Sequence, residues 1–343
     1  DVSSFVIKGK NDLILWLGSG WYTEGLPGVA NNGPVVKAQL EKVKNNKREI
    51  ILVTDSTWLG RKSSYMRHGD WRPHRFGGEI MDGSLSKNDL TIENIPTREW
   101  QPVSKISIPP HEVSSQMVEV NIIADTICPV SVVTIAPDTF LVDMGKNLTG
   151  WLEIHFPKLE KSQLIKMEYC DYLLKGEKFY DMNQYDLYLA SGTPPEVFIN
   201  KFNYHAFRYV RITGLKEMPK PDSIKSFLIH TGYRSASGFE CSDPDMNRIH
   251  DMLLYTLRCL SLGGYLVDCP HIERLGYGGD GNASTLTAQT MFNLSPLYNN
   301  WLQAWADVIR DDGGMPHTAP NPYPAGGGPY WCGFIITASW NTF

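Results

Sequence analysis

The chain has 343 residues, more than one typical domain needs and enough for two or three. Hydrophobic residues make up 42% of it, as in globular proteins, and the formal net charge at pH 7 is −5. This charge gives no electrostatic support for binding nucleic acid or an anionic membrane, so we expect neither nucleic-acid binding nor membrane insertion. The six cysteines form no Cys-x-x-Cys pair, which argues against a zinc site or a dithiol motif.

Residues 1–127 are predicted to form a first β domain. Residues 13–17 are a short continuous apolar run, typical of a buried strand. Apolar and polar residues alternate over 36–41, which predicts a half-buried strand. Residues 44–47 are the expected turn, and residues 49–54 the return strand of the hairpin.

Residues 128–236 are predicted to form a second β domain. Apolar and polar residues alternate with a period of two over 152–156, 165–169 and 209–213. Turns rich in Gly and Pro separate these segments. Such a pattern is typical of an antiparallel sandwich with one buried face. We therefore expect two antiparallel β-sandwich domains in succession.

From 237 to 343 the apolar period becomes helical, which predicts a third domain made of helices. Asp243 is the expected N-cap of a helix over 243–260, with a proline at its first position. Further helices are expected over 282–293 and around 298–309, the latter with Trp301 and Trp305 in the core. Alternating helices and loops favour an α/α barrel, and the change from β to α favours separate domains.

Residues 267–281 concentrate glycines and charged groups between two predicted helices. Glycine permits unusual backbone conformations and proline removes a hydrogen-bond donor, so we predict an irregular loop. Glu273 lies five residues after Asp268 and seven before Asp280, and the three carboxylates could converge on one pocket. Sharing a pocket would push their pKa values apart, as acid/base chemistry requires. An acidic surface loop with a buried Arg274 salt bridge is the competing interpretation.

Two more loops follow the helices. In 310–320, Asp311 and Asp312 precede a glycine, so a structural turn and a place near the pocket are both open. His317 could contact a substrate, exchange a proton or be an ordinary polar group. A third, flexible loop is expected over 326–331. No Gly-Lys-Ser/Thr follows it, so a phosphate cradle is not expected.

The order Asp-Cys-Pro-x-x-Glu-Arg-Leu-Gly-Tyr-x-Gly-Asp over 268–280 resembles the signature of bacterial α-L-rhamnosidases, glycoside hydrolase family 78. Residues 76–83, 142–151 and 202–210 resemble recurrent phrases of the family's β domains. The resemblance covers nearly the whole chain. It implies two β-sandwiches, the first carbohydrate-binding-like, followed by part of an (α/α)6 catalytic barrel. It also implies that the natural protein extends beyond both ends of this chain.

This resemblance implies a glycan-degrading enzyme that cleaves a terminal α-L-rhamnosyl linkage of a plant-type polysaccharide by inverting acid/base hydrolysis. Glu273 matches the general acid, and Tyr277 stands where an aromatic residue lines the sugar pocket. The matching base is a Glu in the C-terminal half of the barrel, which the chain does not contain. The expected substrate-binding residues are Asp268, Arg274, Asp280, His317, Tyr330 and Trp331.

Two departures from the family pattern leave other chemistry open. His271-Ile272 replaces a Gln-Arg-Asp found in many members, and Trp331-Cys332-Gly333 replaces Trp-Gly-Asp. Fewer carboxylates would suit an anionic substrate. The alternative is a related polysaccharide lyase that cleaves rhamnosyl-α-1,4-glucuronate by β-elimination, with Tyr277 and His271 as catalytic groups. A Tyr base would need positive charge nearby, because the ordinary pKa of Tyr is about 10.

A non-catalytic carbohydrate-binding protein is the third alternative. No nucleotide, haem or flavin motif is present, so no cofactor is expected, and no metal site is assigned. The resemblance allows calcium, although no segment has the pattern of a calcium-binding loop. The expected partner is a rhamnose-containing oligo- or polysaccharide. That substrate class alone predicts a periplasmic or extracellular location.

Overall fold

The computed structural model describes residues 1–18, 34–70, 72–86, 99–107, 114–174, 179–321 and 327–343. Within these ranges the architecture is a mixture of β and α. Longer strands occupy the part up to Thr231, and longer helices follow from Pro244.

The strands are listed here in chain order. They are β1 (Gln39–Lys44), β2 (Lys47–Val53), β3 (Leu59–Gly60), β4 (Tyr65–His68), β5 (Gly78–Asp82), β6 (Gln101–Pro102), β7 (Asn121–Ile127), β8 (Ser131–Ala136), β9 (Thr139–His155), β10 (Leu164–Cys170), β11 (Tyr185–Leu189), β12 (Val197–Ile199), β13 (His205–Thr213), β14 (Ile224–Thr231), β15 (Ser261–Leu262) and β16 (Tyr265–Leu266).

The helices are concentrated towards the C-terminal end. They are α1 (Gly83–Ser86), α2 (Pro244–Leu260), α3 (Gly278–Met291), α4 (Ser295–Asp307), α5 (Pro329–Cys332) and α6 (Phe334–Thr342). Single 3-10 turns occur at Ser3–Phe5 and Pro221–Ser223. No described helix is both long enough and apolar enough to cross a lipid bilayer.

The first predicted hairpin is confirmed. Strands β1 and β2 pair in antiparallel register, and Asn45 and Asn46 both have positive φ between them, as a tight two-residue turn requires. The first strand begins at Gln39, later than predicted. The strand predicted over 13–17 is wrong: that segment has no strand, and Leu13 and Leu17 are exposed. A short apolar run cannot by itself distinguish a buried strand from an irregular segment.

A single large sheet dominates the β part, in the order β4-β5-β11-β10-β13-β9-β14-β7, with β8 and β12 also paired to β9. Most neighbours are antiparallel, but β5 and β11 run parallel. The sheet takes strands from both sides of residue 127, the predicted boundary between the β domains. That boundary, like the one near 236, stays a prediction.

The core of this sheet lies where the alternation predicted it. Leu152, Ile154, Ile165, Met167 and Val210 are all fully buried. Burial alternates with a period of two at the end of β9 and over 209–213 of β13, as predicted. In β10 it does not, because Met167–Cys170 are all buried, Glu168 included.

Helix α2 begins where its capping signal predicted. The Asp243 carboxylate accepts hydrogen bonds from the backbone N–H groups of Asp245 and Met246, and Pro244 takes the first position. Of its apolar stripe, Leu257 is buried against the helical core, whereas Met246 and other residues nearer the N-terminus are exposed. The local signals therefore fixed the start of the helix, and packing fixes only its last turns.

A second core joins α3, α4 and α6. Trp301, Trp305, Tyr298 and Phe334 are all buried, and the rings of Trp301 and Phe334 have centroids 4.4 Å apart. The expectation that the two tryptophans belong to the core is confirmed. Helix α4 ends at Asp307, so the last two residues of the predicted stripe lie beyond it.

Candidate active site

The signature segment leaves the short β15–β16 hairpin and enters α3. Asp268 and Leu275 close the segment on itself, because the Asp268 N–H donates to the Leu275 carbonyl at 3.0 Å and the Leu275 N–H donates to the Asp268 carboxylate at 3.0 Å. Arg274 adds an N–H bond to the Cys269 carbonyl. The prediction of an irregular loop is confirmed from Asp268 to Tyr277.

For residues 278–281 the loop prediction is wrong, because they form the first turn of α3. The glycines are needed there for space. A Cβ on Gly278 would lie 2.2 Å from the Trp331 carbonyl oxygen, and one on Gly279 2.7 Å from the Trp331 ring. A Cβ on Gly281 would lie 2.5 Å from the ring of Phe334. The glycines therefore let α3 pack closely against α5 and α6.

Asp268, Cys269 and Glu273 converge within the loop. One ligand-type atom from each lies within 4.8 Å of the others. The Cys269 thiol donates to the Asp268 carboxylate with 2.9 Å between Sγ and Oδ2. Burial raises the pKa of Asp268, and the Glu273 charge adds to this effect. The structure thus places two of the three predicted site carboxylates together.

These three residues are also the group in the described part of the chain with a spacing suited to a metal ion. Burial and the neighbouring Asp268 raise the pKa of the Cys269 thiol to about 12. A thiol binds metal as the thiolate, so this environment favours a protonated hydrogen-bond donor over a metal ligand. The prediction that no metal is bound stays a prediction.

Tyr277 is partly buried immediately before α3. Burial and the neighbouring Glu273 carboxylate raise the pKa of Tyr277. The hydroxyl therefore stays protonated at neutral pH and lies close enough to Glu273 to be affected by its charge.

Asp280 lies in the first turn of α3 and is exposed. Partial burial of the carboxyl group raises its pKa, and the charge of Glu273 adds to the shift. Asp280 is therefore close enough to Glu273 to be affected by its charge, as the shared-pocket hypothesis expects.

Arg274 is fully buried, and its backbone φ is +56°. Its guanidinium donates to the Pro270 carbonyl at 2.8 Å, to Asn203 Oδ1 at 2.7 Å and to the Tyr204 carbonyl at 2.6 Å. It also stacks between the rings of Phe76 and Tyr204. These contacts favour a structural role over the predicted substrate contact, and the partners are neutral rather than the carboxylate of a salt bridge.

His271 lies beside Asp171, which directly follows β10. Its Nε2 is 3.7 Å from Asp171 Oδ2, and burial lowers its pKa. The next residue, Ile272, accepts a backbone hydrogen bond from His74, whose φ is +59°. The ring of His271 is therefore directed towards the β part of the structure.

The remaining predicted residues, His317, Tyr330 and Trp331, have rings that pack against one another near the start of α3. The rings of His317 and Trp331 have centroids 5.4 Å apart, and Tyr330 packs edge-on to Trp331 at 5.9 Å. The His317 carbonyl accepts the N–H of Gly278 at 2.9 Å. Tyr330 is 53% exposed and Trp331 38%, so both offer ring surface to a ligand.

One of the two remaining loop predictions needs correction. Residues 329–332 form the short helix α5 rather than a flexible loop, because Pro329 starts a helical turn that packs on α3. Gly326 lies outside the described residues. Asp312 accepts the N–H of Gly314 at 2.8 Å within an exposed turn, and Asp311 is also exposed. The structural-turn interpretation fits both.

Sequence reasoning missed Cys269 and Asn203. Cys269 stands between two residues of the signature and could have been found there. Asn203 had no such signal, because it is 71 residues from Arg274 in the chain.

Three family models match the chain in succession. The N-terminal domain of α-L-rhamnosidase matches residues 1–125, the concanavalin-like domain of bacterial α-L-rhamnosidase matches 133–230, and its 6-hairpin glycosidase domain matches 234–343. Together, these three matches show that the chain resembles bacterial α-L-rhamnosidases over nearly its whole length. The resemblance carried by the signature at 268–280 is confirmed.

Individual rhamnosidases are similar to this chain at low identity. An α-L-rhamnosidase of Formosa agariphila is 25% identical over 322 residues, covering 88% of the chain and 33% of that protein. One of Streptomyces avermitilis is 24% identical over 355 residues, covering 99% and 34%. The chain therefore spans about a third of the length of these rhamnosidases.

Solved structures of rhamnosidases share the fold. The structure of the Streptomyces avermitilis α-L-rhamnosidase with L-rhamnose has a TM-score of 0.80 at 22% identity, covering 94% of this chain and 32% of that one. The Dictyoglumus thermophilum enzyme has a TM-score of 0.77 at 24% identity, covering 88% and 34%. The mixed β and α architecture predicted for this chain is therefore shared with the aligned third of these solved rhamnosidases.

Proposed function

We propose that the natural protein containing this chain removes a terminal α-L-rhamnosyl group from a glycan by hydrolysis, with Glu273 as general acid. The observation that carries the proposal is the position of Glu273. It lies partly buried beside Asp268 in the rhamnosidase signature, and its charge raises the pKa of the neighbouring Tyr277. All three matched segments come from rhamnosidase domains, in the same order.

The chemistry requires a carboxylic acid that protonates the leaving oxygen and a carboxylate that activates water. Glu273 would supply the first. Asp268 and Asp280 would accept hydrogen bonds from rhamnose hydroxyls, and the exposed rings of Tyr330 and Trp331 would contact the sugar. In an inverting enzyme the base lies about 6.5–9.5 Å from the acid to leave room for water. We place that base outside this chain.

The lyase alternative is not favoured. A Tyr base would need a lowered pKa, but burial and the Glu273 charge raise the pKa of Tyr277. An eliminating enzyme must also neutralise the carboxylate of its substrate. Arg274 is fully buried and bonded to protein atoms, so it is poorly placed for that task. His271 faces Asp171 instead.

We extend the proposal to the barrel, the substrate and the cellular location. The helices from Pro244 onwards would be the first part of an (α/α)6 barrel. The substrate would be a rhamnose-containing oligo- or polysaccharide, and the location periplasmic or extracellular. No cofactor is proposed.

The test uses the complete protein and a glycan capped with rhamnosyl-glucuronate. Free rhamnose is measured together with the ultraviolet absorbance of an unsaturated uronate. We expect rhamnose without new absorbance, and we expect Glu273→Gln to lower the rate by about 10²–10⁴-fold, the range of general acid catalysis. Glu240→Gln, at an exposed position, should leave it unchanged. Matching absorbance would instead establish elimination, and glycan binding without rhamnose release would establish a non-catalytic binding protein.

A further inference from the structure

The backbone that carries Glu273 is held in an uncommon conformation by the next residue. Arg274 has φ +56°, a region that residues with a Cβ seldom adopt and that persists only when surrounding contacts impose it. Its Nε donates to the Pro270 carbonyl, which closes the loop on the side of Glu273. The Arg274 side chain is therefore what holds the loop conformation next to the acid.

The other two ends of the Arg274 guanidinium reach into the large sheet. Nη1 donates to Asn203 Oδ1 and Nη2 to the Tyr204 carbonyl, both in the turn that precedes β13. Asn203 is itself fixed, since its Nδ2 donates to the Phe76 carbonyl at 3.2 Å and its Oδ1 also accepts the Tyr204 N–H at 2.9 Å. The loop of residues 268–277, which carries Glu273, is thus anchored to the turn that precedes β13.

The backbone conformation of this turn is held by one buried side chain. Glu79, on β5, accepts the backbone N–H groups of Lys201 at 2.9 Å, Phe202 at 2.6 Å and Asn203 at 3.0 Å. Only 3% of Glu79 is exposed, so water does not compete for these bonds. Three backbone N–H groups of consecutive residues thus converge on one buried side chain, which fixes the conformation of the turn.

We propose that Glu79 and Asn203 are positioning residues for the general acid: they fix the guanidinium of Arg274, which fixes the backbone carrying Glu273. This inference rests on the proposed function, because it assumes that Glu273 donates a proton. Among the described residues, neither side chain hydrogen-bonds Asp268, Glu273 or Asp280, so each would act through Arg274. A displacement of about 1 Å in a catalytic group can cost about 100-fold in rate. Loosening the anchor would therefore weaken proton donation without removing Glu273.

The test exploits how much each substrate needs the acid. An alkyl α-L-rhamnoside has a poor leaving group and requires proton donation, whereas 2,4-dinitrophenyl α-L-rhamnoside has a leaving group that departs as a stable anion. A misplaced acid slows the first and spares the second. Loss of folded protein slows both equally. The ratio of the two kcat values in the complete protein therefore separates positioning from folding.

Asn203→Ala removes the acceptor for Arg274. We expect kcat on methyl α-L-rhamnoside to fall at least about tenfold, with kcat on the dinitrophenyl substrate changed less than about threefold. Asn203→Asp keeps an oxygen acceptor at the same place and should restore most of the loss. If Asn203→Ala does not fold, Asn203→Ser removes the same contact with a smaller change in volume and polarity and serves instead.

Glu196, which directly precedes β12, provides a matched control for Glu79→Gln. Glu196 is also 3% exposed and also accepts three backbone N–H groups, from Ser191, Gly192 and Thr193, but no contact links it to Arg274. We expect Glu79→Gln to alter the kcat ratio between the two substrates in the same direction as Asn203→Ala. Glu196→Gln should leave that ratio unchanged.

The two proposals fail in different ways. If the wild-type protein hydrolyses neither rhamnoside, the proposed function is wrong and the positioning role falls with it. If the wild type is active but Asn203→Ala and Glu79→Gln slow both substrates equally, the positioning role alone is overturned. It is also overturned if Glu196→Gln changes the ratio as much as Glu79→Gln does.

Discussion

The thiol of Cys269 donates a hydrogen bond to the carboxylate of its neighbour Asp268, with 2.9 Å between Sγ and Oδ2. Burial raises the pKa of Asp268, and this bond and the Leu275 N–H bond oppose the rise because they favour the charged form. The thiol therefore favours the charged form of Asp268, as the proposed role of Asp268 in binding sugar hydroxyls would require.

Cys269→Ala is expected to raise the pKa of Asp268 further, because one donor to the charged form is lost. The acid limb of the pH profile of kcat/KM should then move to higher pH by about half a unit to one unit, the equivalent of one hydrogen bond. Cys269→Ser keeps a donor and should move the limb less. An acid limb that stays in place in Cys269→Ala would show that Asp268 does not need to be charged for binding.

Tyr277→Phe removes a hydroxyl that lies beside the Glu273 carboxylate, whose charge raises the pKa of Tyr277. A hydrogen bond between the two groups during the reaction would be worth about 1 kcal/mol, so we expect kcat on an alkyl rhamnoside to fall about five- to tenfold. Steady-state kinetics of the complete protein would measure this. Tyr180→Phe, at an exposed position that carries no predicted site role, is the control and should change kcat less than twofold. Equal losses in the two variants would contradict the specific role of Tyr277.

Gly281→Ala tests the close packing at the start of α3. Alanine normally favours a helix over glycine, but here its Cβ would lie 2.5 Å from the Phe334 ring and 2.8 Å from Trp301. We expect a loss of about 1–3 kcal/mol in the free energy of unfolding, as for other overpacked cores. Denaturant titration would measure it. Gly238→Ala has no atom within 4 Å of its new Cβ and should be nearly neutral. A stabilised Gly281→Ala protein would mean that α6 moves aside freely.

Glu79 should make stability fall as pH rises. Burial and the charge of Asp186 raise its pKa to about 7. A carboxyl with a raised folded-state pKa contributes stability that is complete below its unfolded pKa of about 4.3 and is lost as pH rises through 7. Glu79→Gln cannot ionise, so its melting temperature relative to wild type should improve between about pH 5 and 7.

Glu196 provides the opposite sign. Hydrogen bonds from Tyr188 and from backbone N–H groups outweigh burial and lower the pKa of Glu196. Its contribution is therefore present above its unfolded pKa and is lost as pH falls through the folded value. Glu196→Gln should be most destabilising at neutral pH and least so in acid. If both variants followed the same pH trend, the assigned protonation of Glu79 would be wrong.

Local signals in the sequence were enough for several elements. Asp243 and the proline after it fixed the start of α2 because a helix cap involves only adjacent residues. The two asparagines of the first hairpin likewise set its turn. The signature indicated the resemblance to rhamnosidases, and with it the loop that brings Asp268 and Glu273 together.

What the sequence could not reveal depends on distant partners. The glycines at 278–281 were predicted to form a loop, since nothing local indicates that Trp331 and Phe334 press against them. Arg274 was predicted to contact a substrate, because its charge was visible but its anchor at Asn203 was not. The apolar run at 13–17 matched a strand pattern that the chain does not use. In each case tertiary contacts override the local preference.

The order of the strands has a consequence for how the chain acquires its structure. Strand β9, 17 residues long, pairs with β8 before it and with β12, β13 and β14 after it, while the parallel partners β5 and β11 bring together Glu79 and Asp186, 107 residues apart. Such pairings require large loops to close before they gain contacts, which makes folding slow. A ribosome must therefore synthesise the chain through Thr231 before the sheet can be completed. The loop of residues 268–277, which Arg274 anchors to that sheet, would reach its final geometry only afterwards.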